Sequence, residues 1–255
     1  MTYCVAMRLA EGLVFMSDTR TNAGFDQIST FKKMHQFNQP NERALTLLSA
    51  GNLATSQSIM SLLQKRIGTN LQNVFSTTSM YETAELVGRT MREVIQRDAC
   101  GGPRMVDFSC SLVLGGQILG EPPRLFMIYS EGNFIESTRE TPYFQIGESK
   151  YGKPILDRVM SYETPLDRAF QCALISFDST MKSNLSVGMP LDVSLYRQNE
   201  LVPCYAGRID EHNEYFQNLR TAWHSGLQNL ITDLVPPFLN APQPVAAQTT
   251  TVTRG

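Results

Sequence analysis

Apolar and polar residues alternate almost from the first position, in MTYCVAMRL and again in LVFMSDTR (Leu13 to Arg20). Ala10-Glu11-Gly12 joins the two runs, and a connection this short with a glycine predicts a β-hairpin. TNAGFDQIS reads as a polar loop. FKKMHQF and RALTLLSAG then form a second strand pair around the turn-rich NQPNE. At Gly51 the period changes. Leu53, Ile59, Leu62, Leu63 and Ile67 fall near a 3.6-residue repeat with Asn52 as cap, and a second helix is predicted over 78–98. Strand patterning returns at Phe108 to Leu114 and Arg124 to Ser130, with GGQILGEPP as the turn, and continues in EGNFIES and YFQIG. Gly147-Glu148-Ser149-Lys150 is expected to open a helix, in a helical pair over 151–161 and 165–183 around Thr164-Pro165. Pro190 to Tyr196 returns to strand, and HNEYFQNLRTAWHSGLQNLITDL makes a last helix. Residues 236–255 are rich in Pro, Ala, Gln and Thr without a period, so a disordered tail is expected after one domain over 2–235.

Hairpins in clusters and helices in pairs suggest two packed sheets with helices on both outer faces. This is a layered α+β plan and not a βαβ repeat. No GxGxxG is present, and GGQILG lacks the strand-to-helix setting of a nucleotide loop. The net charge of −2 and pI near 6.0 give no electrostatic case for nucleic acid or an anionic membrane. No apolar run approaches the ~18 residues of a membrane helix, and the start lacks the features of a signal peptide. The five cysteines (4, 100, 110, 172 and 204) form no CxxC pair, so reduced thiols and a cytoplasmic location are expected. His35, His212 and His224 lack metal-ligand spacing, which gives little support to a zinc site or a Ser-His-Asp triad.

The chemistry that remains begins at Thr2. Once Met1 is trimmed, Thr2 carries a hydroxyl and an α-amine whose ordinary pKa of about 7.7–8.0 leaves part of it neutral at cellular pH. A threonine activated by its own amine is an established form of nucleophilic catalysis. Asp18 ends the second strand of the hairpin. Consecutive strand residues face opposite ways, so one of Lys32 and Lys33 points inward. Phe31, Lys33 and Phe37 share a parity that Met34 does not. An inward lysine needs a carboxylate such as Asp18 or loses its charge. Gly51 closes LLSAG at a helix start, where free backbone N–H groups can polarise a carbonyl. Each residue also has a plainer reading: a β-former, a turn aspartate, solvated edge lysines and a tight-turn glycine.

As a set, MTYCVAMRL, SDTRTNAG, STFKKMH and LLSAGNLATS make the chain, up to about residue 235, resemble the proteasome β-subunit and HslV family of N-terminal-nucleophile hydrolases. The resemblance implies a four-layer αββα sandwich. It implies Thr2 as nucleophile exposed by loss of Met1, Asp18 and Lys33 as its partners, and Gly51 at the oxyanion. Lys33 stands one residue nearer the start than in typical members. Two segments depart from the family pattern. Its Gly-Ser-Gly reads Gly147-Glu148-Ser149, and its Asp-x-x-Ser-Gly loop reads Ser183-Asn184-Leu185-Ser186-Val187-Gly188. Ser186 then matches the supporting serine and Ser183 replaces the aspartate. Glu148 is either an acceptor for the α-ammonium or a charge capping the next helix.

The resemblance further implies a threonine peptidase that works through a Thr2 ester acyl-enzyme on peptides or unfolded polypeptides. It implies self-assembly into ring-like or stacked homo-oligomers, no cofactor and no metal, and it leaves an unfoldase partner open. Two other functions fit the same residues: a non-peptide amidohydrolase on this fold, and a weakly active or inactive ring-forming scaffold. Cys4 shares the face of Thr2 and is either packing or cleft wall, while Tyr3 faces away. Trp223 is expected in core or subunit contact.

Overall fold

The computed structural model describes residues 1–22, 28–99, 106–234 and Pro236. Strands β1 (Tyr3–Leu9) and β2 (Gly12–Asp18) pair as the predicted hairpin and are buried on both faces. Alternation therefore sorts β1 between two cores. Tyr3, Val5, Met7 and Leu9 enter one apolar cluster, and Cys4 and Ala6 enter another. Such a strand needs a layer on each side.

The remaining strands are β3 (Arg20–Asn22), β4 (Ile28–Thr30), β5 (Met34–Gln39), β6 (Arg43–Gly51), β7 (Cys110–Ile118), β8 (Arg124–Ile128), β9 (Phe134–Glu136), β10 (Tyr143–Gly147), β11 (Leu191–Arg197) and β12 (Pro203–Ile209). One sheet runs β10-β1-β2-β11-β12, the other β5-β6-β7-β8-β9, and β3-β4 is a small separate pair. Every pairing among the described residues is antiparallel. Helices α1 (Leu53–Arg66) and α2 (Met80–Ala99) bury Ile59, Leu63, Leu86 and Val94 against Leu45, Leu47 and Phe126 of the second sheet. Helices α3 (Lys153–Val159) and α4 (Leu166–Ser183) cover the first sheet, placing Leu156, Ala173 and Phe177 on Val5 and Met16. Phe15, Leu48, Val113 and Ile146 fill the space between the sheets. The expected αββα sandwich is the fold observed.

Helix α5 (Glu214–Asp233) is different, because Phe216 is its only buried residue and Leu230, Ile231 and Leu234 are exposed. Trp223 is half-buried on it.

Four expectations need correction, and one strand went unread. GGQILG is strand for its first four residues: β7 continues to Ile118, and the turn begins only at Leu119. A Cβ at Gly115 would lie 2.6 Å from Phe15 Cζ and one at Gly116 2.2 Å from Ala44 O, so close packing selects the glycines. The segment read as a polar loop carries β3 and β4 at its ends, and residues 23–27 lie outside the described residues. PCYAGRI forms β12, which pattern reading missed because it is an exposed edge strand with Pro203 and Gly207 in it. The helix expected at 147–150 begins only at Lys153, since the chain first turns around the start of β1. FKKMHQF enters the sheet only at Met34, so alternation does not govern Lys32 and Lys33. The tail expected over 236–255 lies outside the described residues except for Pro236, and Cys100 lies outside them as well.

Phe15 joins both sheets through its contact with Gly115. Phe15→Ala should lower stability by about 3–5 kcal/mol, seen as a lower urea midpoint at unchanged slope.

Candidate active site

Because Cys4 pairs with Ser17, the end of β2 lies beside the start of β1. Asp18 is fully buried there, and its Oδ1 accepts the Tyr3 N–H at 3.0 Å. Lys33 arrives from the other sheet, just ahead of β5. Its Nζ donates to Asp18 Oδ1 at 2.7 Å and to the Arg20 carbonyl at 2.6 Å, and the residue is 3 % exposed. Lys32 is exposed. The Gly188 N–H approaches Asp18 Oδ2 at 3.4 Å. Burial pushes the Asp18 carboxyl above the usual carboxylate range, while the Lys33 ammonium and the N–H groups of Tyr3 and Gly188 work against that push.

Thr2 is half-buried at the mouth of this arrangement. Its carbonyl accepts the Glu148 N–H at 2.7 Å, which continues the β1–β10 ladder by one step. Gly147 makes the approach feasible: its φ is +82°, and a Cβ would fall 2.0 Å from the Thr2 carbonyl oxygen. The amine at the chain start, carried by Met1, is held below the ordinary α-amine value. Burial is the largest cause and Lys33 adds to it, while Asp18 and Glu148 pull the other way.

Gly51 ends β6 with φ +105°, where a Cβ would lie 2.7 Å from the Ser109 carbonyl oxygen. Asn52 follows and caps α1 by accepting the Thr55 N–H at 3.1 Å. Thr2, Lys33, Gly51 and Glu148 line one cleft of about 520 Å³, walled further by Thr21, Ser49, Ala50, Leu53 and Ser56.

The outer positions divide. Glu148 does not cap a helix; its Oε2 accepts Asn184 Nδ2 at 3.0 Å. Ser149 gives its carbonyl to the Lys153 N–H at 3.1 Å and so serves the start of α3. Ser186 donates its N–H to Asn184 Oδ1 at 2.9 Å, on the loop that reaches Asp18 through Gly188. Ser183 goes elsewhere. It is exposed at the end of α4, in a groove of about 670 Å³ along α5, with an Asp178–Arg220 ion pair at 2.5 Å. Asn184 was not among the candidates, although it stands inside the segment that departs from the family pattern. The signal was its amide, which can donate to a carboxylate where serine was sought.

Cys4 is not in the cleft wall. It packs between the sheets, its Sγ 3.6 Å from the Ser49 carbonyl, and burial pushes its thiol well up. The Tyr3 hydroxyl lies on the helix side with Ser176 at 2.6 Å and Gln145 at 2.5 Å. Among the described residues, no group of three His, Cys, Asp or Glu side chains is placed to hold a metal.

Two antiparallel sheets between helical layers, with the first strand opening into a cleft beside a buried Lys–Asp pair, define an N-terminal-nucleophile-type sandwich. The proteasome-subunit family matches residues 2–194, and the chain belongs to that family. It is similar to Anbu (ancestral beta-subunit) from Yersinia bercovieri, at 58% identity over 92% of this chain and 98% of that one, with a TM-score of 0.88. Anbu from Pseudomonas aeruginosa, described as a helical assembly, is 50% identical over 96% and 99% of the two chains, with a TM-score of 0.88. An Anbu (Gly-1) mutant from Hyphomicrobium sp. strain MC1 is 46% identical over 92% and 99%, with a TM-score of 0.87. No curated protein matches the chain.

Removing one partner of a buried pair leaves an uncompensated charge, so Lys33→Met should cost about 3–5 kcal/mol at neutral pH. With its folded pKa raised, Asp18 binds its proton more tightly folded than unfolded, and stability falls as pH rises through the window above the ordinary carboxylate value. Loss of Lys33 widens that window upward. The variant's deficit should therefore shrink on acidification, as measured by urea unfolding at several pH values.

Proposed function

We propose that the chain is an N-terminal threonine peptidase and a subunit of a self-assembling, proteasome-like particle. The observation that carries this reading is the convergence of Thr2 and the Lys33–Asp18 pair on one cleft. Removal of Met1 frees the Thr2 α-amine. The neutral amine takes the Oγ proton as Oγ attacks the substrate carbonyl, and then gives it to the leaving amine. An ester acyl-enzyme remains, which water hydrolyses with the amine again as base. Lys33 lowers the proton affinity of hydroxyl and amine through its charge. Asp18 holds Lys33 in place, and the Gly51 N–H stabilises the oxyanion. Glu148 accepts from the α-ammonium, while Ser149 and Ser186 support the backbone around it.

Residues 2–235 act as one catalytic unit in this reading, on peptides or unfolded polypeptides in the cytosol. Among the described residues no helix is long and apolar enough to cross a membrane. Self-assembly is supported by the helical assembly of the Pseudomonas aeruginosa relative. It is supported too by exposed Leu227, Leu230 and Ile231, spaced to share one face of α5, with exposed Leu234 directly after the helix.

Intact mass and a peptide electrophile that closes a ring with both a hydroxyl and its vicinal amine test the reading together. The purified protein should lack Met1 and gain one adduct on Thr2. Thr2→Ala should form none, and Lys33→Ala should slow the reaction by about a hundredfold or more. Lys32→Ala should react at close to the original rate. Retention of Met1 with no adduct would leave the scaffold function in its place.

A further inference from the structure

The loop that leaves α4 touches both Asp18, buried behind the cleft, and Glu148, which lines it. Gly188 donates its N–H to Asp18, and Asn184 donates its amide to Glu148 Oε2 at 3.0 Å. The loop is held from within and from outside. The Asn184 N–H bonds to the Thr180 carbonyl at 2.8 Å, which ties it to the last turn of α4. The Arg20 guanidinium donates to the Leu185 carbonyl at 3.1 Å and lies where a Cβ on Gly188 would fall, 2.3 Å from Cζ. The Arg20 carbonyl is also the second acceptor of Lys33, so one residue braces the loop and the ammonium together.

These contacts settle which way the Asn184 amide points. Its Oδ1 is engaged by the Ser186 N–H at 2.9 Å, so its NH₂ is left to face Glu148. The same Nδ2 lies 3.7 Å from Met1 Sδ, so the Asn184–Glu148 pair borders the space that Met1 fills. We infer that Asn184 is a positioning residue, which holds the Glu148 carboxylate beside the chain's α-amine and through it sets how tightly that amine keeps its proton. In its catalytic consequence the inference rests on the amine-activated Thr2 proposed above.

The charged groups acting on the amine that Met1 carries are Lys33 from ahead of β5, Asp18 from β2 and Glu148 from beyond β10, and Lys33 and Glu148 line the same cleft as Thr2. Lys33 favours the neutral amine, and the two carboxylates favour the ammonium. Glu148 is the adjustable member, because Asp18 is locked to Lys33 while Glu148 lines open cleft. A neutral donor at 184 suits it. It fixes the carboxylate without adding another negative charge, which an aspartate there would bring.

The test uses the full chain, with its first residue established by intact mass. The α-amine is carbamoylated with cyanate across neutral pH, and the N-terminal peptide is followed by mass. The rate profile reads the amine's proton affinity whether or not the protein turns over substrate. E148Q should move the profile down by about one unit, as expected for loss of a nearby opposite charge. N184A should move it the same way by roughly half a unit, since the carboxylate is then free to swing into solvent. The near-isosteric N184D should move it up, and N184A in the E148Q background should add nothing. A loop staple without electrostatic effect would leave N184A superimposed on the parent or move N184A and N184D in the same direction, and either result overturns the inference. An unmoved E148Q profile overturns it too. Failure of the electrophile adduct alongside the expected shifts would remove the peptidase reading and leave the Asn184–Glu148 pair standing.

Discussion

A lysine just ahead of the edge strand of one sheet and an aspartate at a strand end of the other meet in the buried seam of the sandwich, 2.7 Å apart. Taking both charges out of water costs several kcal/mol each, and their attraction offsets that only when the geometry is good and the spare hydrogen-bonding positions are filled. Here they are filled. Asp18 also accepts from Tyr3 and Gly188, and Lys33 also donates to Arg20. The pair thereby fixes four segments relative to one another: the start of β1, the end of β2, the approach to β5 and the loop after α4. The cleft is the space left open at this junction.

Thr2 owes its position to backbone more than to its own side chain. It lies one residue outside a strand paired on both sides, and its carbonyl is held by the Glu148 N–H. Such a residue has little freedom to lose, which is what the nucleophilic role proposed for it requires. The glycines at 51 and 147 let two other chains approach the same corner without a side chain in the way. The fold therefore supplies rigidity to Thr2, and the Lys33 charge supplies an electrostatic field at the same corner.

Much of this was legible from pattern. The β1–β2 hairpin, α1, α2, α4 and β10 follow from periodicity, since each buries a regular face. What pattern misjudged was set by contacts distant in sequence. The strand character of Gly115 and Gly116 depends on Phe15 and Ala44, far away along the chain. β12 has an exposed face and no apolar alternation to announce it. Lys33 was singled out by alternation, yet it precedes its strand, and its inward course is decided by Asp18 and Arg20.

By itself the sequence determined the layered α+β plan, the hairpin that opens the chain and the residue types available for chemistry: a threonine near the start, an aspartate at a strand end, adjacent lysines and a glycine before a helix. These are local properties, readable from spacing and chemical type. Only the tertiary structure decided which of them meet. It brought Thr2, Lys33, Gly51 and Glu148 to one cleft, sent Ser183 to a groove on α5, and placed Asn184 on Glu148. The reason is physical: a hydrogen bond or ion pair depends on distances of a few ångströms between side chains, and positions far apart in the chain reach such distances only through the packing of layers.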